Sequence, residues 1–355
     1  MADAEILFEV KDGLGLITLN RPKALNALTH GMILEMEKVL PGWEADGSIK
    51  AVVLRGAGDR AFCAGGDVIG LYREMRDNPS GTLRRDFFRD EYIVNRRIYR
   101  FAKPWISLID GIDMGGGVGM SVHGSHSVAS EKFLFAMPET TIGLFPDVGG
   151  GYFLTRLPGA LGTFLALTSY RLKAADALWA GIVDAHVASA RMGDLLAALG
   201  AADLSGPDAN RKVDAVIGRF ASDAGLPTLP ALMPEIDRCF SAESVAEIES
   251  KLKKQSGEWA QKQLAALLKL SPLSMAITLE QLKRCANHSF EDAMTIEYRM
   301  SQYCMRPEHD FFEGVRALLI DKDQKPKWNP PTIDAVTPAM VEAHFQPVAN
   351  DLFFE

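Results

Sequence analysis

The chain has few cysteines, no excess of positive charge and no long apolar run, and each shortage removes a class of protein. Its four cysteines, Cys63, Cys239, Cys285 and Cys304, show neither a CxxC pair nor any other metal-ligand spacing. They fit reduced thiols in a cytoplasmic setting, and no metal is expected. A net charge of −8 leaves little with which to hold a phosphate backbone, so no nucleic-acid partner is expected. No apolar run is long enough to span a membrane. The first residues, "MADAEILFEVKDGLGLITLN", lack a basic region followed by an apolar one, so no leader is read there. Two hydrolase signatures are also missing: there is no H-E-x-x-H and no G-x-S-x-G.

With 47% hydrophobic and 24% charged residues, the 355-residue chain has the balance of a soluble globular protein. Residues 5–19 predict two short strands joined at Asp12-Gly13, a hairpin signal. From about Thr29, the residues Met32, Ile33, Met36, Val39, Leu40 and Trp43 recur at helical spacing. "KAVVLRG" (50–56) and "PWISLIDG" (104–111) predict apolar strands, with a polar helical stretch over 68–101 between them. "SVAS" (127–130) and "KFLFAM" (132–137) add two more. Apolar strands alternating with helices predict a sheet buried on both faces. From about residue 190 the strands stop and helical segments follow, with 202–210 and 225–234 expected as linkers. The fold class is therefore α/β, organised as an α/β part over 1–200 and an α-helical region over 201–355.

Several motifs are better explained as structure. "GAGDRA" (56–61) matches a loose dinucleotide pattern, but "FCAGGD" follows where an acidic residue on a second strand is required, so it reads as a surface turn. "HGSH" (123–126) reads as a structural histidine pair, and Cys63 as a small buried residue. Two glycine-rich loops carry more. "FCAGGD" (62–67) and "DMGGGVGM" (113–120) each follow a predicted strand, and each could aim a backbone N–H at a common oxygen. Further on, "MPETTIGLFPDVGGG" places Glu139 and Asp147 eight residues apart in a stretch that otherwise reads as buried and tightly turned. "PDVGGG" is expected to start a helix with Asp147 in or beside the cap position, where free N–H groups favour a carboxylate.

Taken with "LNRPKALNALT" (19–29) and "MPETTIGLFPDVGGGYFLTRLPG" (137–159), the two loops resemble the crotonase superfamily of acyl-CoA enzymes, four blocks in the right order over most of residues 5–190. The resemblance implies a core of repeated ββα units, a helical C-terminal region, and an oxyanion hole for a thioester carbonyl made by the N–H groups of Ala64 and Gly116. In the hydratases of that superfamily two glutamates flank one water. The second matches Glu139; the first falls at Gly119, which has no side chain, while Asp147 stands where hydratases usually carry glycine. That departure is similar to the 3-hydroxyisobutyryl-CoA hydrolases, as is "DFFEGVRALLIDKDQKPKWNP" (310–330), beyond the usual crotonase end.

The resemblance implies hydrolysis of a 3-hydroxyacyl-CoA, either 3-hydroxyisobutyryl in valine breakdown or the smaller 3-hydroxypropionyl. Glu139 and Asp147 are then the active-site carboxylates, with Glu91 binding substrate. Lys23 meets a CoA phosphate, and Ala64, Gly65, Gly66 and Asp67 run along the CoA. Phe311 and Arg316 are expected to close over the nucleotide. The acyl-CoA is the partner, CoA is carrier and leaving group, and no cofactor is implied. Glu139 acts either as nucleophile or as general base, and the choice stays open. Whether the chain forms a homo-oligomer also stays open. The alternative is an enoyl-CoA hydratase or isomerase, or a non-catalytic CoA-binding frame.

Overall fold

The computed structural model describes residues 4–354; Met1, Ala2, Asp3 and Glu355 lie outside them, including the start of the N-terminal stretch read above. The chain divides into two compact units that alternate along the sequence. One comprises 1–66, 93–135 and 171–228, and the other 67–92, 136–170 and 229–355.

The first unit is built on strands β1 (Ile6–Lys11), β2 (Leu14–Leu19), β3 (Ala51–Gly56), β4 (Ala61–Cys63), β5 (Trp105–Ile109), β6 (Ile112–Met114), β7 (His126–Ala129), β8 (Leu134–Ala136) and β9 (Ala185–His186). The hairpin β1–β2 turns at Asp12 and Gly13, both at positive φ, as expected of an Asp-Gly pair. Six strands order as β1-β2-β3-β5-β7-β9, and all pairings after the hairpin are parallel. One face of this sheet, with Leu16, Val53, Ile106 and Val128, packs on the helices Met192–Ala201 and Ala209–Gly218 through Leu195, Leu199, Val213 and Ile217. The helix His30–Ala45 starts on its Thr29 cap, which accepts the Met32 N–H, and brings Trp43 against Gly15. The strands are apolar on both faces because helices cover both. A second sheet, β4-β6-β8, carries the two glycine-rich loops from the ends of β4 and β6, which pair in parallel.

The second unit is almost wholly helical. Its largest helices, Leu229–Phe240, Pro272–Cys285 and Phe290–Cys304, bury apolar stripes, and Phe164, Phe240 and Trp259 meet in one aromatic cluster. The stretch 225–234, expected as a linker, runs instead into the helix Leu229–Phe240 with Pro234 inside it. Burial of Leu229, Ile236, Cys239 and Phe240 outweighs the proline signal, and the carbonyl left without a donor, that of Pro230, lies in the first turn. The polar helical stretch expected over 68–101 forms two helices, Val68–Asp77 and Leu83–Tyr99.

Because Gly15 has no side chain, the Trp43 ring can lie against β2; a Cβ there would penetrate the ring. Gly15→Ala is expected to destabilise the fold by about 1–3 kcal/mol through overpacking, measured as a lower urea midpoint at unchanged slope.

Candidate active site

Glu139 opens a single 3₁₀ turn, Glu139–Ile142, which Gly143 ends in a left-handed conformation (φ +74°). The N–H groups of Gly143 and Leu144 both donate to the Glu139 carbonyl. The turn is seated on the C-terminal segment of the same unit. A Cβ on Gly143 would lie 2.5 Å from the Asp310 carbonyl, and Ser274 Oγ donates to the Leu144 carbonyl. Asp310 is itself held, accepting from Ser271 Oγ and from the Asn329 N–H at 2.8 Å. The 310–330 stretch therefore supports the turn that carries Glu139.

Asp147 departs from its expected cap position. Val148 (φ +50°) and Gly149 (φ +85°) are both left-handed, and the helix begins only at Gly150. This double bend sets Asp147 ahead of the helix, where its Oδ2 accepts from the Tyr92 hydroxyl at 3.0 Å. The free N–H groups at the helix start do meet a carboxylate, but it is another one: Gly149 and Gly151 donate to Glu297 Oε2 and Oε1, each at 2.7 Å. Gln281 Nε2 adds a bond to Glu297 Oε1 at 3.1 Å and ties in the Pro146 carbonyl at 2.7 Å.

Four carboxyl groups are thus buried together: Glu91 (2% exposed), Glu139 (5%), Asp147 (4%) and Glu297 (0%). Burial pushes all four up. Asp147 reaches about 7 even though the Tyr92 hydrogen bond pulls it down, and Glu297 about 8 against the pull of the two glycine N–H groups. Glu139 and Glu91 are raised well above the ordinary range by burial and next by the Asp147 charge. Glu139 Oε2 and Glu91 Oε1 accept no hydrogen bond within the described residues. Paired carboxyls in such a setting can exchange a proton with each other or with a bound hydroxyl near neutral pH. Glu91 lies in this cluster and not on a solvated helix face. Tyr92, Gln281 and Glu297 were not found from the sequence. The one legible signal was Glu297 falling within the apolar stripe Ala293, Met300 and Cys304 of its helix.

In the first unit the two glycine-rich loops come together. A Cβ on Gly65 would lie 3.3 Å from the Met114 carbonyl and 3.6 Å from Gly116 N, and one on Gly117 would strike the Cys63 carbonyl. Gly116 is the first residue of the helix Gly116–Ser121, so its N–H has no acceptor within that helix. The Ala64 N–H donates to the Leu25 carbonyl at 3.0 Å, a bond that the sequence did not foretell. Gly66 bridges Leu28, and Gly119 is a buried residue of the same short helix as Gly116. Asp113, pushed up to about 7 by burial, accepts from Ser121 Oγ at 2.6 Å in this region.

The other expected residues take simpler places. Lys23 is exposed in a short 3₁₀ turn, and Asp67 caps the helix Val68–Asp77 by accepting the Gly70 N–H. Phe311 is buried core, and Arg316 is paired with Glu313, Asp321 and Asp323, so neither is held free to close over a ligand. His123 and His126 are buried, the latter between Ser125 Oγ and Asp214. Cys304, His309 and His344 place their ligating atoms within 4.8 Å of one another. Hydrogen bonds already assign the ring protons. His309 Nδ1 accepts the Phe311 N–H, its Nε2 donates to His344 Nε2 at 3.0 Å, and His344 Nδ1 donates to the Met340 carbonyl at 2.9 Å. A metal on His309 Nε2 would move that ring's proton to Nδ1, against the Phe311 N–H, so the pair reads as a latch and not as a ligand set.

The raised carboxyls have a consequence for stability. The folded chain holds their protons over a range where the unfolded chain has released them, so stability falls as pH rises from about 4 through about 8. Glu139→Gln removes one such group. It is expected to raise the urea midpoint at about pH 8 and to change it less at about pH 5.

The family model for enoyl-CoA hydratase/isomerase matches residues 14–345. The 3-hydroxyisobutyryl-CoA hydrolase, mitochondrial, of Gallus gallus is 46% identical over 98% of this chain and 90% of its own length. The protein of the same name from Danio rerio is 48% identical over 97% and 90%. The crystal structure of a carnitinyl-CoA dehydratase from Mycobacterium thermoresistibile superposes with a TM-score of 0.92 at 40% identity, covering 99% of each chain. No helix among the described residues is long and apolar enough to cross a membrane. The expected α/β fold with a helical C-terminal region is the one found, and the chain belongs to the enoyl-CoA hydratase/isomerase family, the crotonase superfamily, alongside relatives named 3-hydroxyisobutyryl-CoA hydrolase.

Proposed function

We propose that the protein is a thioester hydrolase that cleaves 3-hydroxyisobutyryl-CoA to the free hydroxy acid and CoA, a step of valine degradation. The observation that carries this reading is the distribution of carboxyls. Glu139 and Asp147 are buried in one cluster, while Gly119, where a hydratase needs its other glutamate, offers no side chain. Hydration needs an acid and a base disposed around one water, whereas hydrolysis needs one activated oxygen and a polarised carbonyl. The relatives of the hydrolase name support the same assignment over nearly the whole chain.

The roles follow from the chemistry of each group. The Gly116 N–H is the better placed oxyanion donor; the Ala64 N–H contributes by sharing its proton between the Leu25 carbonyl and the thioester oxygen, as a three-centre bond. Glu139 either attacks the carbonyl carbon, expelling CoA thiolate and leaving an anhydride that water opens, or takes a proton from water as that water attacks. In both routes one water is consumed, the C–S bond breaks, and the sulfur leaves as thiolate and is protonated. Asp147, held by Tyr92, orients the water or the substrate hydroxyl and shares a proton with Glu139. Glu91 meets the polar end of the acyl group, and Lys23 with the Ala64–Asp67 stretch meets CoA. No metal or redox cofactor is needed for any of these steps. The four cysteines are buried thiols, which suits a reducing compartment such as the cytoplasm.

Free-thiol release measured in parallel on 3-hydroxyisobutyryl-CoA and crotonyl-CoA tests this. Release from the hydroxyacyl thioester is expected, reduced about 100- to 10,000-fold in Glu139→Gln, with no water added to crotonyl-CoA. Water addition without CoA release would make the chain a hydratase and end the hydrolase reading.

A further inference from the structure

Glu297 is fully buried, lies on the helix Phe290–Cys304, and has no place in the chemistry above. Its two oxygens accept three N–H donors: Gly149 at 2.7 Å, Gly151 at 2.7 Å and Gln281 Nε2 at 3.1 Å. The backbone is made to admit it. A Cβ on Gly151 would sit 3.0 Å from Glu297 Oε1 and 2.8 Å from Cys285 Sγ, so only glycine leaves the carboxylate room. The two N–H groups that it holds follow Val148, the left-handed non-glycine residue next to Asp147. Such a bend is costly for a residue with a side chain and persists only where its surroundings enforce it.

We infer that Glu297 is a positioning residue for the hydrolysis proposed above: by clamping the Gly149 and Gly151 N–H groups it fixes the bend that aims Asp147 at Tyr92 and at the reacting group. The inference rests on that functional reading. Its geometry is bidentate and needs the full reach of a glutamate; an aspartate falls short by one methylene, and a glutamine turns an N–H toward one of the two donors. The charge has a second effect. Asp147 raises Glu297, and an ionised Glu297 in turn raises Glu139, so neutralising position 297 lets Glu139 ionise more readily.

The test compares Glu297→Gln and Glu297→Asp with wild type in the thiol-release assay across pH. Both are expected to lower kcat about 10- to 100-fold, the effect of losing one hydrogen bond to a charged group, with KM within about twofold. The acid limb of the kcat profile is expected to move to lower pH in Glu297→Gln and to stay in place in Glu297→Asp. A purely structural residue would lower the melting point without that separation. A folded Glu297→Gln with unchanged kcat and an unmoved limb overturns the inference. If Glu297→Gln does not fold, Gln281→Met removes the third donor while keeping the packing; an unchanged kcat and limb there overturn it equally. If the wild type releases no thiol, the functional reading has failed by itself. The clamp is then read by infrared titration of the Glu139 and Asp147 carboxyls, assigned by their loss in Glu139→Gln and Asp147→Asn, where bands unmoved in Glu297→Gln reject it.

Discussion

A carboxyl group taken out of water must keep its proton or be surrounded by donors, and the helical unit is organised around four that do one or the other. Glu297 has three N–H donors and Asp147 has a tyrosine hydroxyl, while Glu139 and Glu91 each keep an oxygen with no partner among the described residues. This gradation is chemically useful. The most fully bonded group is suited to hold the backbone, and the least bonded are suited to exchange protons with a ligand. The cost is stability, because each raised carboxyl opposes folding as it ionises.

The support for this cluster comes from far along the chain. Glycine at 143 lets the Glu139 turn lie against Asp310, glycine at 314 lets the helix Asp310–Val315 approach Ile142, and Ser274 and Gln281 bond to the carbonyls of Leu144 and Pro146. The C-terminal region is thus a scaffold for the carboxylates within its own unit. Phe311 and Arg316 serve that scaffold, one as core and the other in an ion-pair network. In the sheet unit, close approach of backbone to backbone at Gly65 and Gly117 brings two loops together and leaves the Gly116 N–H at the head of a helix.

Much of this was legible beforehand. The Asp-Gly hairpin, the helix from about Thr29, the sheet buried on both faces and the end of strand structure near residue 190 all rest on short-range patterning that tertiary contacts did not override. Residues 225–228 form the expected linker, but 229–234 were misread because proline content speaks of local strain and says nothing of the burial that repays it. The cap assigned to Asp147 failed for a similar reason. Sequence spacing placed a carboxylate near a helix start, but two consecutive left-handed residues turned it away and a glutamate 150 residues downstream took the seat.

The sequence by itself determined the local periodicities, the family, and the presence of Glu139 and Asp147 beside an empty position at Gly119. Those follow from the order of residue types, which short-range sterics and burial patterning read directly. Only the tertiary structure decided which donors meet which carboxylates: Tyr92 to Asp147, Gly149 and Gly151 to Glu297, and the Ala64 N–H to Leu25. Hydrogen bonds act over about 3 Å and are indifferent to separation along the chain. The side chains and N–H groups that set these proton affinities were therefore chosen by packing.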